Sequence, residues 1–281
     1  MTRTYASAPP LRDTEIPAAV RSALLSTIPC IRHGLTYRVP GMGKADGNIG
    51  LGAPRDREDA WAMRKLWCAA IGVDPERIVT MGQIHGNKVI RVHAEDAGKG
   101  SRDPGTHVGY ADALVTNAPD VVLMTLHADC QPILIVDPVR RAIGAVHAGW
   151  RGTVADVGGV AVTAMRAEFG SDPADLLAYL GPAIGPGANE VGDEVIEAWL
   201  AQAEDLGEPA QDAVSRPGPK YHFDVPTANR LLLLRAGLTP EHIDVSTTCT
   251  KSNKDAWFSH RGHGPNAGRE GALIAIAGDP R

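Results

Sequence analysis

Three residues able to do chemistry sit where apolar segments meet polar turns: His85, Cys130 and His147. Cys130 belongs to Leu126-His127-Ala128-Asp129-Cys130-Gln131-Pro132, which opens the apolar run Ile133 to Val136. Asp137-Pro138-Val139-Arg140 reads as a turn, and Ala142 to Val146 leads into His147-Ala148-Gly149-Trp150-Arg151-Gly152. If Pro138 and Val139 form a two-residue hairpin loop, Asp137 faces Arg140, and counting back places Cys130 opposite His147. Cβ atoms of facing residues lie roughly 5 Å apart. That separation suits two ligands of one metal ion, or a thiol and its base. A one-residue slip would put the two side chains on opposite faces.

Catalytic zinc usually keeps three protein ligands and one open position, which two His and one Cys would match. Bound zinc lowers the pKa of its water to about 7 and acts as a Lewis acid. The ligand spacing resembles no zinc finger. The rival chemistry is a Cys–His hydrolase, with Cys130 as nucleophile and His147 as base. Packing and capping are the bland roles available to the same residues. The zinc-deaminase signature, His-x-Glu with Pro-Cys-x-x-Cys, is absent, and no His-x-His pair of the multicopper type occurs among ten histidines. Cu²⁺ can still load adventitiously on a His₂Cys site.

The elements that must position these residues read as follows. Asp56 to Ile71 is a helix stopped by Gly72; Gly34 to Gly52 is a glycine-rich loop. Arg77 to Gln83 and Lys88 to Val92 read as strands joined by a Gly86-Asn87 hairpin, with His85 at its tip. Ala113 to Thr116, Val121 to Leu126, Leu176 to Leu180 and Ala272 to Ala277 are further strands. Helices are expected from about Thr153 to Phe169, from Asp193 to Leu206 and from Asp224 to Ala236. Gly181 to Gly187 is a rigid loop, and Ala210 to Lys220 an exposed excursion. Hairpins mixed with helices predict an α/β (α+β) fold, with mixed sheets and helices packed outside. Residues 1–18 read as a flexible arm and 19–281 as one catalytic domain.

The chain has 281 residues, 43% hydrophobic, with a net charge of −5, which argues against non-specific nucleic-acid binding. Its apolar runs fall well short of the roughly 20 residues of a membrane span, and no signal peptide opens it, so a cytoplasmic address is expected. Four widely spaced cysteines form no CxxC pair; Cys30 and Cys68 read as packing.

Gly82-Gln83-Ile84-His85-Gly86, Ala111 to Thr116, Ala128 to Pro132 and His147 to Gly152 resemble the signatures of the YfiH/laccase-domain family. Asn48 to Gly52, Arg38, Asp224 with Asn229 and Arg230, Cys249-Thr250, Phe258 to Arg261 and Gly268-Arg269 extend the resemblance over residues 28–277. It implies zinc held by His85, Cys130 and His147, and a fold like that of a cytotoxic deamidating toxin. It also implies phosphorolysis of adenosine, inosine and methylthioadenosine, with adenosine deamination possible for members. Peptidoglycan-precursor editing and copper-loaded polyphenol oxidation are the alternatives. On this reading the partners are a nucleoside and phosphate, and the chain is a monomer without nucleic acid or membrane. Asp129 and Arg261 are the expected catalytic residues. Arg38, Asn48, Asp112 and Arg151 are the expected substrate-binding ones; Asp112 or Asp129 could instead orient a ligand imidazole. Trp150 and Trp257 read as packing. The chain departs from the family pattern at Gly187-Ala188-Asn189, at His260-Arg261-Gly262 and at His127.

Overall fold

The apolar runs alternate between two cores, and this alternation builds the molecule. The computed structural model describes residues 17–278, so most of the expected N-terminal arm lies outside the described residues. One sheet has the order β1 (Ile31–Leu35), β15 (Glu270–Ile276), β7 (Val122–His127), β2 (Ile78–Val79). The other runs β14 (Ile243–Val245), β10 (Leu177–Leu180), β8 (Gln131–Asp137), β9 (Ala142–Ala148), β6 (Ala113–Thr116), β4 (Val89–Arg91). Both are mixed, as expected from the hairpins and helices. Leu134, Val136, Ile143 and Ala145 pack with Leu123, Ala272 and Ile274 between the sheets. Their neighbours Ile133, Ile135, Ala142 and Val146 face outward, with residues of α3 (Val157–Phe169) and α5 (Val225–Arg235). Val122, Met124 and Leu273 form the other outer face, beneath α1 (Arg57–Ile71). Sheets covered on both faces explain why these strands read as continuous apolar runs.

A fourth cluster joins α4 (Asp193–Gln202) to the small sheet of β11 (Glu190–Val191), β13 (Tyr221–Phe223) and β12 (Val214–Ser215). The remaining elements are the pair β3 (Gly82–Gln83) and β5 (Tyr110–Ala111), and the short helices α2 (Trp150–Val154) and α6 (His260–His263).

Several boundaries follow the sequence signals. Asp56 caps α1 by accepting from the amides of Glu58 and Asp59, and Gly72 ends it in the left-handed region. Asp224 caps α5 through Thr227. Cys68 is fully buried, and Cys30 packs against the inter-sheet core.

Four expectations are corrected. The turn after β8 spans Pro138 to Arg141, because Asp137 pairs with Ala142. A two-residue primed turn needs positive φ at its first position, which Pro138 cannot adopt. Instead Asp137 accepts from the amides of Val139 and Arg140, both at 2.8 Å, and Arg141 takes the positive φ. Next, Gly86-Asn87 closes no hairpin. β2, β3 and β4 each pair in parallel with a different strand, so the chain crosses between sheets there. The helix after His147 starts earlier, at Trp150, and is broken before Val157, where Asp156 has φ 57° and caps α3 through the Gly159 amide. Finally, the excursion after α4 is anchored: Ala210 and Ala213 are buried, and Ala210 accepts a hydrogen bond from the Trp199 indole at 2.8 Å.

One polar group within the sheet core makes a pH-dependent contribution. His33 on β1 is buried and accepts the Ser22 amide on Nε2 at 3.0 Å, which only a neutral ring can do. Burial, aided by Arg21, lowers its pKa from 6.5 to about 4 against the opposing charge of Asp244. The unfolded chain therefore binds a proton in this window that the native chain refuses. The contribution is complete above pH 6.5 and is lost as pH falls toward 4. Its slope is ~1.4 kcal/mol per pH unit. His33→Gln is expected to flatten the pH dependence of unfolding free energy by that amount in urea titrations between pH 4 and 7. Identical slopes in both proteins would refute the assignment.

Candidate metal centre

The space between the two sheets turns polar at one end, and the candidate site lies there. Along β7 the inward positions run Leu123, Thr125, His127; along β9 they run Ile143, Ala145, His147. β15 ends its inward row at Glu270, and the row of β6 extends back to Asp112. The corrected register sets Pro132 opposite His147 and Gln131 opposite Ala148. Because the shift from the expected register is even, Cys130 and His147 keep a common face, as diagonal rather than direct neighbours.

His85, Cys130 and His147 each present one ligand atom within 4.8 Å of the others. They grade outward: His147 is buried, Cys130 half-buried and His85 exposed, so the cluster opens to solvent on the His85 side. Gly149 must be glycine here for space: a Cβ would lie 2.9 Å from Cys130 Sγ and 3.3 Å from His85 Cδ2.

Asp112 organises the cluster. Its fully buried carboxylate accepts His147 Nδ1–H at 2.9 Å, which leaves Nε2 free for an ion. It also accepts the amides of His85 at 2.9 Å, Gly86 at 2.6 Å and Ile84 at 3.3 Å. These bonds replace the cross-strand partners a hairpin would have supplied, and they hold His85 at φ 60°. Gln83 fixes the same segment by exchanging two hydrogen bonds with the backbone of Leu126, at 2.7 and 2.8 Å.

The electrostatics suit metal uptake. Burial pushes the Cys130 thiol up, but His147 and His85 outweigh it and bring the pKa down to about 6. For His147, burial opposes charge, yet the Cys130 thiolate and Asp112 raise its pKa to about 9. Asp112 stays below the usual carboxylate range despite its burial, through His147 and the amides it accepts. A thiolate and two imidazoles form a borderline-soft donor set that fits zinc, and a carboxylate behind a ligating imidazole is its usual support.

His127 is a neutral neighbour. Its Nδ1 lies 3.1 Å from the Cys130 carbonyl and its Nε2 2.7 Å from Thr125 Oγ1. Burial holds its pKa well below 6.5.

The other expected site residues are partly committed elsewhere. Asp129, at φ 84°, accepts from the Thr250 hydroxyl and the Arg261 amide, both at 2.6 Å, so both its oxygens fasten loops. Asn48 is buried; its carbonyl accepts from the amides of Gly50 and Arg269, at 3.1 and 2.8 Å. That is a positioning geometry rather than a substrate contact. Arg38 is paired with Asp46 at 2.6 Å. The Arg261 guanidinium donates to the Glu190 carbonyl at 3.1 Å, and Arg151 lies over the Trp150 ring at 4.2 Å. Sequence reasoning gave Gln83, Glu270, Arg55 and Arg269 no role at the site.

Residues 32–277 match the family described as multi-copper polyphenol oxidoreductase laccase. The chain belongs to this family. It is 36% identical over 248 residues to the purine nucleoside phosphorylase YlmD of Geobacillus stearothermophilus, covering 87% of this chain and 89% of that one. A purine nucleoside phosphorylase of Bacteroides thetaiotaomicron is 31% identical over 248 residues, covering 87% and 91%. The crystal structure of YlmD from Geobacillus stearothermophilus superposes with a TM-score of 0.87 at 31% identity, covering 96% of this chain and all of that one. The hypothetical protein YfiH of Bacillus licheniformis gives 0.82 at 29%, covering 88% and 92%. Family membership implies an enzyme that binds metal, and the YfiH/YlmD architecture agrees with the mixed α/β fold expected from the sequence. Among the described residues, no helix is long and apolar enough to cross a membrane.

Proposed function

We propose that the protein is a zinc-dependent purine nucleoside phosphorylase. It would convert adenosine, inosine or methylthioadenosine and phosphate to the free base and the sugar 1-phosphate. The observation that carries the reading is the open cluster of His85, Cys130 and His147 backed by Asp112, in a chain whose similar relatives bear that name. His85, Cys130 and His147 would hold the ion, and bound zinc would supply Lewis acidity toward an oxygen of phosphate or water.

In phosphorolysis a phosphate oxygen forms a bond to C1′ as the bond to the purine nitrogen breaks. The bonding pair leaves with the base, which takes up a proton. The chain's task is to hold a dianion against an electron-poor sugar carbon, with water kept out. Asp112 keeps the His147 ring fixed and spends its remaining capacity on amides, so it serves positioning rather than proton donation. Asp129 serves likewise. Oxidation through several coppers is less favoured, because the described residues gather one cluster able to hold a metal.

The test incubates the zinc-loaded protein with adenosine, and separately with inosine and methylthioadenosine, with and without phosphate. Adenine and ribose 1-phosphate, formed only with phosphate, are expected. Inosine as the sole product would replace the reading with deamination. Absence of turnover on all three nucleosides would end it and leave precursor editing to be tried.

A further inference from the structure

Two arginines outside the cluster are arranged in a way that the fold alone does not require. Arg55 stands in the loop before α1, and Arg269 immediately precedes β15. Both guanidinium groups converge on one carbonyl, that of Ala267: Arg55 Nη2 donates at 2.5 Å and Arg269 Nη1 at 2.6 Å. Their other acceptors are also neutral. Arg55 Nη1 reaches the Gly52 carbonyl at 3.2 Å, and Arg269 Nη1 the Gly268 carbonyl at 2.9 Å. Neither forms an ion pair with a carboxylate among the described residues. Arg55 Nε is shut off from solvent and has no hydrogen-bond partner.

The nearby acids direct their hydrogen bonds elsewhere. Glu270 turns a carboxyl oxygen to the Phe258 amide at 3.1 Å, and burial pushes its pKa well above the carboxylate range. Both oxygens of Asp129 are taken by Thr250 and Arg261. Burial together with mutual repulsion lowers the pKa of Arg55. A strap on the Ala267 carbonyl needs one donor; two cations sharing it repel each other unless an anion lies between them.

The position ties this pair to the metal centre. Arg269 leads into Glu270, which faces His127 across β15 and β7, and His127 bonds the Cys130 carbonyl. Cys130 and Asp129 lie close enough for their charges to act on Arg269. The Asn48-Ile49-Gly50 segment builds the seat: Asn48 accepts the Arg269 amide, and Gly50 leaves room for its stem, since a Cβ there would lie 3.1 Å from Arg269 Cγ.

We infer that Arg55 and Arg269 form an anion cradle beside the His85–Cys130–His147 cluster, and that its occupant is inorganic phosphate, the attacking nucleophile. This identity of the occupant rests on the phosphorylase reading. Planar guanidinium groups offer paired donors that match the oxygens of a tetrahedral dianion.

The test titrates zinc-loaded wild type, Arg55→Gln and Arg269→Gln with inorganic phosphate by calorimetry, without nucleoside. Each variant is expected to bind phosphate about 10- to 100-fold more weakly, from the loss of one charge-assisted contact. Zinc content should stay at the wild-type level. In turnover, KM for phosphate should rise by the same factor, with KM for adenosine within about twofold. Arg55, half-exposed in a loop, keeps the test valid if Arg269→Gln fails to fold. Phosphate binding unchanged in Arg55→Gln, or absent from wild type, overturns the cradle. If binding is lost in the variants while wild type leaves nucleosides intact, the cradle stands and the phosphorylase reading falls. If wild type performs phosphorolysis and the variants keep its phosphate KM, the reverse holds.

Discussion

Cys130→Ala is expected to lose both bound zinc and phosphorolysis, while the protein stays folded. Structural zinc sites with four ligands bind with ~10–16 kcal/mol of apparent free energy, so one ligand is worth ~3 kcal/mol or more. Its loss weakens binding by on the order of 100-fold at least. The loss falls harder here because Cys130 is the one anionic ligand, and its thiolate, together with Asp112, keeps His147 charged before an ion arrives. Zinc uptake must displace that proton, so the wild type should release a proton on binding at pH 7.5. Elemental analysis after gel filtration and the adenosine assay decide the matter. The fold should survive, because Cys130 is half-buried at the mouth of the sheets and the inter-sheet core lies deeper. A Cys130→Ala protein retaining stoichiometric zinc, or turning over adenosine as wild type does, would remove the centre from the mechanism.

What the sequence made legible, and what it did not, follows from the range of the interactions. The pairing of Cys130 with His147 could be read because a hairpin is local and its face parity survives an even error in the turn. The turn itself was misjudged through Pro138, whose fixed φ forces a longer loop with Asp137 as its local acceptor. Helix ends at Asp56, Gly72, Phe169 and Asp224 were legible for the same reason: capping involves neighbours a few residues apart. The placement of His85 had no such signal. Gly86-Asn87 carries hairpin composition, but Asp112 supplies the amide acceptors from 26 to 28 residues away. The fates of Arg38, Asn48 and Arg269 depend on contacts spanning up to 221 residues, which spacing in a single sequence does not encode. Motif matching flagged these residues as a group; only the folded chain shows which of them hold one another.

Asp112→Asn is expected to weaken zinc binding by about 10- to 100-fold, the usual effect of removing the partner behind a ligating imidazole. The physical reason lies in what the carboxylate does at both ends. An ionised Asp112 can only accept, so it fixes the His147 proton on Nδ1 and aims Nε2 at the ion. Asparagine retains one acceptor oxygen and replaces the other with two donors. If the oxygen stays on His147, the new NH₂ group faces the Gly86 amide, and two donors meet; if it turns toward the amides, His147 loses its tautomer. Either way a buried donor goes unsatisfied, at a cost of about 1–3 kcal/mol. The variant should therefore unfold at lower temperature as well as bind zinc less tightly. Two readouts separate positioning from mere stability. Competition with a chromophoric chelator gives the zinc affinity of the folded variant, well below its melting temperature. Saturating zinc should then restore much of the lost activity if Asp112 acts by aiming His147, whereas a proton donor to the purine would leave kcat low at any zinc concentration. Wild-type zinc affinity in the variant would show that His147 is oriented by packing alone.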